Sequence, residues 1–199
     1  MDICINQLIE KLDERQLKPN INLERPIFVQ PEDSIKYRAP RIVLICGMLN
    51  TAHGLSKEII SCVDFLLRNS GYQKKFIIEY FRNQRNLIKK IDQYTPQDTI
   101  EIDFNIIQYK SVPWDLRFND MLFYLYVRKI VRFEGEKSNL RIFLTDSGIN
   151  YFNKIKEIFI DGVNFLEIFG KRLDEEKTKR IITQVIPSAY WRENEKLNY

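Results

Sequence analysis

The sequence predicts a mainly α fold carrying one small β-hairpin wing, an α+β class of winged helix-turn-helix type. Apolar residues recur at helical spacing along most of the chain, while residues 129–145 break into two short β-rich runs around a polar turn. With 44% hydrophobic and 29% charged residues in 199, the composition fits one globular core with a small appendage. The expected division is an N-terminal helix and extended arm over 1–37, a helical domain over 38–186 and a polar C-terminal tail over 187–199.

Ile5, Leu8, Ile9 and Leu12 set the period of a first helix over residues 3–17, which Pro19 ends. Pro26, Pro31 and Pro40 then punctuate an aperiodic stretch whose centre, Ile27, Phe28 and Val29, reads as an extended apolar arm. The run RIVLICGML after Pro40 predicts a buried helix with proline near its first turn. Ser56 is placed to cap the next helix, whose inner face is Ile59, Val63, Leu66 and Leu67; Asn69-Ser70-Gly71 closes it. A further helix is expected from Tyr72 to about Ile91. Ile100, Ile102, Phe104 and Ile106 alternate with polar residues as a short strand would.

Pro113 is expected to open an apolar helix through Met121, Leu122, Leu125 and Tyr126. Strands at 129–134 and 140–145 follow as the hairpin, its turn containing Gly135. Thr145 is placed to cap the next helix, and Gly148 to let its first turn approach the hairpin closely. That helix is predicted to run unbroken to Phe169, and a last one covers about Asp174 to Ile186 before Pro187. The unit from Trp114 to Phe169, helix then wing then helix, is what makes the winged-helix reading.

The net charge of +4 and a sequence pI of about 8.8 make the chain only mildly basic. Cys4, Cys46 and Cys62 form no CxxC pair, so they are expected to be reduced thiols. No signal-peptide pattern is visible, and no apolar run approaches the ~20 residues of a membrane span. A cytoplasmic protein without a membrane partner is expected.

Catalytic constellations are missing. A single histidine, His53, cannot make a histidine-rich metal site. Neither GxGxxG nor GxxxxGK[ST] occurs, so no nucleotide cofactor is expected. The acidic pairs Glu101/Asp103 and Glu134/Glu136 are the only support for a metal-dependent nuclease, and solvated strand and turn positions explain them more simply. The chain therefore reads as a non-enzyme without cofactor or metal.

The residues singled out are candidates for binding. Lys74, Lys75, Arg82, Arg85, Lys89 and Lys90 form the most basic segment and are candidates for weak, sequence-independent DNA contact. Asp115, Arg117, Asn119 and Asp120 on the expected reading helix, with Glu134, Glu136 and Lys137 on the wing, put too much acid where phosphate would lie, which favours protein contact. Ile27, Phe28 and Val29 are one candidate partner surface. The second is the stripe Phe152, Ile155, Phe159, Val163, Leu166 and Phe169, widened by Tyr151, Ile158 and Phe165, of which Phe159, Phe165 and Phe169 are expected at an interface.

Two stretches, RAPRIVLICGML…GLSKEIISCVDFLLRNSG over 38–71 and WDLRFNDMLFYLYVRKIVRF…LRIFLTDSG over 114–148, resemble the middle component of bacterial ABC three-component systems, best known from Lamassu anti-phage defence. The resemblance covers half to two-thirds of the chain and rests on a helix-and-wing pattern without catalytic residues. It implies a non-catalytic adaptor that links an SMC- or Rad50-like ATPase to an effector, often a nuclease. The alternative from the residues alone is a winged-helix DNA-binding transcriptional regulator.

Overall fold

Helix α1 (Ile35–Met48) lies within the core of the described residues: Ile42, Val43, Leu44 and Ile45 are all buried, as in a helix covered on every side. The computed structural model describes residues 34–49, 53–84, 106–136, 139–169, 173–188 and 191. The chain divides into two compact units, Met1–Pro31 and Glu32–Tyr199, and every described residue belongs to the second. The first predicted helix, the arm and most of the strand predicted over 100–106 lie outside the described residues.

Pro40 was expected near the start of α1, but the helix begins five residues earlier, and residues assigned to the arm form its first turn. Pro40 therefore sits in the helix interior, where it removes one i→i−4 bond. Strand β1 (Leu55–Ser56) leads into α2 (Lys57–Arg68), and the Ser56 hydroxyl accepts from the Ile59 N–H as predicted. Burial of Ile59, Ile60, Cys62, Val63, Phe65 and Leu66 fixes α2 against the core. The α2 C-terminus is satisfied by side chains: Asn69 Nδ2 donates to the Phe65 carbonyl at 3.0 Å and Gln73 Nε2 to the Leu66 carbonyl at 2.8 Å. Helix α3 (Ser70–Tyr80) follows at once, two residues earlier than the expected start at Tyr72, with Asn69 joining the two helices.

The helix expected to reach Ile91 ends at Tyr80. Phe81, capping it, turns inward to stack on Phe169 with ring centroids 5.7 Å apart. Among the described residues two further strands follow, β2 (Ile106–Tyr109) and β3 (Val112–Asp115), paired antiparallel. Pro113 was expected to open a helix; it lies in β3, and the helix starts only at Phe118. The turn between the strands holds Lys110 and Ser111 at φ +48° and +64°, a type I′ geometry that normally asks for Asn and Gly. Without those residues the sequence carries no hairpin signal there.

Helix α4 (Phe118–Val127) leads to β4 (Val131–Glu134) and β5 (Arg141–Leu144), the hairpin the sequence predicted. β1 pairs with β5, so the second sheet has the order β1-β5-β4, all antiparallel. Thr145 caps α5 (Asp146–Ile155), its hydroxyl accepting from the Gly148 N–H at 3.1 Å. A Cβ on Gly148 would meet the Ile130 carbonyl oxygen at 2.1 Å, so glycine is required for this close approach.

The long helix expected to run on to Phe169 breaks at Lys156–Phe159 and resumes as α6 (Ile160–Glu167). The break turns the second half of the stripe back into the core. Helix α7 (Glu175–Val185), capped by Asp174, packs on α3 and α2, and Trp191, placed in the polar tail by sequence, is buried near Phe65. The described unit is thus mostly helical, seven helices with two small antiparallel sheets, an α+β structure.

A buried charge cluster ties α1, α2 and β3 together. Asp115, 3% exposed, pairs with Arg38 of α1 and with Arg68 of α2. Its other oxygen accepts from the Arg117 N–H at 2.7 Å. Asp64 accepts from Arg41 Nε at 3.0 Å and lies 3.8 Å from Arg68. Asp115 was expected on an outward reading face; the early strand β3 turns it inward instead.

Candidate interaction surface

Helix α4 has two faces of similar hydrophobicity, and only one is used by the core. Phe118, Met121, Leu122 and Leu125 are buried. On the other side Phe123, Tyr126 and Val127 are 67%, 51% and 61% exposed. Spaced i, i+3, i+4, these three share one face of the helix. The Tyr126 ring stacks on Phe133 of β4 at 5.2 Å, so the apolar surface continues from helix to hairpin. The exposed Leu116 lies in the segment that leads into α4.

The helix ends in a way that holds this surface in place. Lys129 adopts φ +57°, its N–H bonds the Tyr126 carbonyl at 2.8 Å, and the Ile130 N–H bonds the Leu125 carbonyl at 2.9 Å. This is a Schellman closure with lysine where glycine is usual. The Ile130 carbonyl then accepts from the Thr145 N–H at 3.1 Å, joining the α4 terminus to the base of the hairpin. Polar groups border the patch: Asp120 and Lys129 are exposed, the Arg128 guanidinium lies 4.8 Å from the Tyr124 ring centroid, and Arg132 pairs with Glu134.

The sequence-predicted binding residues are not gathered on one surface. Phe165 is completely buried and Phe169 nearly so; the two rings meet edge-on at 5.2 Å, with Phe76 and Tyr80 against Phe169. Both are core side chains, which corrects their expected place at an interface. The bend after α5 that buries them leaves Phe159 half-buried and pushes Ile158 and Ile160 outward beside a cleft of about 250 Å³. The arm residues Ile27, Phe28 and Val29 lie outside the described residues, as do Arg85, Lys89 and Lys90. Lys74 and Lys75 are on α3, but Arg82 lies in the turn after it, so the three do not share one helical stripe.

Sequence reasoning missed the α4 face because both sides of Phe118–Val127 are apolar, leaving periodicity with no contrast to report. Asn119 is occupied as acceptor of Lys57 Nζ at 3.2 Å, and Asp115 is buried; of the four expected reading residues, Arg117 and Asp120 remain exposed with Asn119. Among the described residues no group of three or more His, Cys, Asp or Glu is arranged to hold a metal, and no helix is long and apolar enough to cross a membrane. No family model, curated protein or solved structure matches this chain.

Proposed function

We propose that this chain is a non-catalytic winged-helix adaptor of a bacterial anti-phage complex of the Lamassu type, linking an SMC-like ATPase to an effector nuclease. The observation that carries the protein-binding part is the exposed face of α4, Phe123, Tyr126 and Val127, continued onto the hairpin by Phe133. A contiguous apolar and aromatic surface on a rigid helix suits a protein partner. The connectivity supports the winged-helix assignment, with α3 and the β2–β3 pair as an insertion: α1, β1 and α2 come first, α4 and the hairpin follow the insertion, and β1 pairs with the returning strand β5. In that arrangement α4 occupies the position of a reading helix. A helix that reads DNA there needs polar and basic side chains, and this one offers Phe, Tyr and Val. The identity of the partners rests on the resemblance of residues 38–71 and 114–148 to the middle components of those systems.

The test is co-expression with the neighbouring ATPase and effector genes, comparing wild type with a Phe123→Asp, Val127→Asp double variant. Both positions are exposed, so the fold should be retained by circular dichroism. Removing a central apolar anchor typically costs about 2–4 kcal/mol, roughly 30- to 1,000-fold in affinity, enough to abolish co-purification. Co-purification of the folded double variant at wild-type yield overturns the docking face. A symmetric dimer that binds duplex DNA at a fixed half-site spacing without partners makes the chain a transcriptional regulator instead.

A further inference from the structure

Six cations among the described residues are held in ion pairs. Arg38, Arg41, Arg68, Arg132, Arg141 and Lys179 each face a carboxylate. Arg82, Lys177 and Arg180 are brought together instead: all three line one cleft of about 540 Å³ between the end of α3 and the side of α7, and among the described residues none of them is in a salt bridge. Glu79 is the one carboxylate among the lining residues, and Gln84 and Gln184 add amide donors. We propose that this cleft binds phosphate groups of a nucleic-acid backbone.

The cations are positioned by the fold. Lys177 and Arg180 are three residues apart on α7 and so project from one side of it. The Asp174 N–H donates to the Tyr80 hydroxyl at 2.7 Å, which pins the start of α7 to the last turn of α3. Lys177 Nζ stands 4.4 Å from the Tyr80 ring centroid, a cation–π contact that steadies the ammonium at the cleft. The inward turn of Phe81 brings the exposed Arg82 to the same place. Two guanidinium forks and an ammonium suit phosphate oxygens, the forks by bidentate hydrogen bonds. The aromatic residues of the cleft, Tyr80 and Phe81, are buried in the core, so no ring is offered on which a base could stack. Binding is therefore to the backbone and carries no sequence preference.

The site is separate from the α4 face and stands whether or not the adaptor reading does. The experiment uses the full chain and fluorescence anisotropy with labelled 20-mer DNA, single- and double-stranded, of two unrelated sequences. Inorganic triphosphate and ATP serve as competitors. Binding should be the same for both sequences and weaken steeply with salt. A triple variant, Arg82→Glu, Lys177→Glu, Arg180→Glu, should bind at least about tenfold more weakly. Its log–log salt slope should be shallower by about two to three, at about 0.9 for each phosphate no longer neutralised. Lys154→Glu, a single reversal of the same kind on α5, should leave binding within about twofold. Wild-type binding by the folded triple variant overturns the proposal, as does absence of DNA binding by wild type at low salt. Competition by triphosphate or ATP at the affinity of the 20-mer overturns the backbone assignment in favour of a free phosphate ligand. Continued co-purification of the triple variant with ATPase and effector keeps this result distinct from the docking test.

Discussion

The buried charge cluster makes the sharpest prediction about stability. Asp115 joins three segments: it pairs with Arg38 and Arg68 and accepts from the Arg117 backbone. Asp115→Asn keeps the shape and the Arg117 hydrogen bond but removes the charge that two buried guanidinium groups share. Breaking a buried pair by deleting one partner costs about 3–5 kcal/mol, because the remaining charge is left uncompensated. For a domain of this size each kcal/mol moves the melting temperature by about 2–4 °C, so Tm should fall by roughly 6–20 °C. Thermal and urea melts followed by circular dichroism measure this. Asp120→Asn, an exposed change of the same type on α4, should stay within about 0.5 kcal/mol. Coupling Asp115→Asn with Arg38→Met should recover part of the loss, since apolar replacement of a buried ion pair is often neutral. A loss below about 1 kcal/mol for Asp115→Asn, less than a typical hydrogen bond to a charged group contributes, would refute the structural role given to the cluster.

Three further outcomes are expected. Phe165→Ala should destabilise by about 3–5 kcal/mol, as for other buried phenylalanines, and near-wild-type melting would return the side chain to the surface. Gly148→Ala forces a methyl group against the Ile130 carbonyl and should cost at least about 1–3 kcal/mol, which the same melts would show. Burial pushes the Cys46 thiol up to about 12 and raises Cys62 and the Tyr72, Tyr80 and Tyr151 hydroxyls as well. Each is an acid whose folded-state pKa exceeds its unfolded one, so its contribution is fully present below the ordinary thiol or phenol range and is lost as pH rises from there through the raised folded-state value. Urea midpoints should therefore fall on going from pH 8 to pH 11. A disulfide-exchange reagent at pH 8 should leave Cys46 and Cys62 unlabelled until urea is added; a flat pH profile or rapid native labelling of both would contradict their burial.

The sequence was most legible where chemistry is local. Ser56, Thr145, Asp174, Gly148 and the 131–144 hairpin act through neighbours a few residues away or through one turn, and their residue types suit those positions. It was least legible where the decisive packing is distant. Nothing near Phe81 states that a helix must stop there; the reason is Phe169, far along the chain. The stripe from Tyr151 to Phe169 reads as one helix because a turn of Lys156-Glu157-Ile158 carries no glycine or proline. The β2–β3 hairpin was hidden in the same way, since Lys110 and Ser111 hold φ angles their side chains disfavour. Tertiary packing overrode local propensity at each of these places.

The same asymmetry explains why the candidate surfaces moved. An apolar pattern shows which residues leave water and not what covers them, so a stripe of bulky aromatics is equally good as core or as interface. Phe165 and Phe169 found intramolecular partners because the chain bends at Lys156–Phe159 and brings them onto α3. Phe123, Tyr126 and Val127 stay more than half exposed, Tyr126 meeting only Phe133 of the hairpin, because the Schellman closure at Lys129 sends the chain straight into the hairpin and no later described element returns to cover that side of α4. Leaving three large side chains more than half exposed forgoes about 1–2 kcal/mol each, roughly the exposed share of the ~1.5–3 kcal/mol of full burial. A small domain whose net stability is typically ~5–15 kcal/mol has reason to keep such a face only if something else buries it. On this ground the outward side of α4, and not the wider aromatic stripe, is the surface on which partner binding should be tested first.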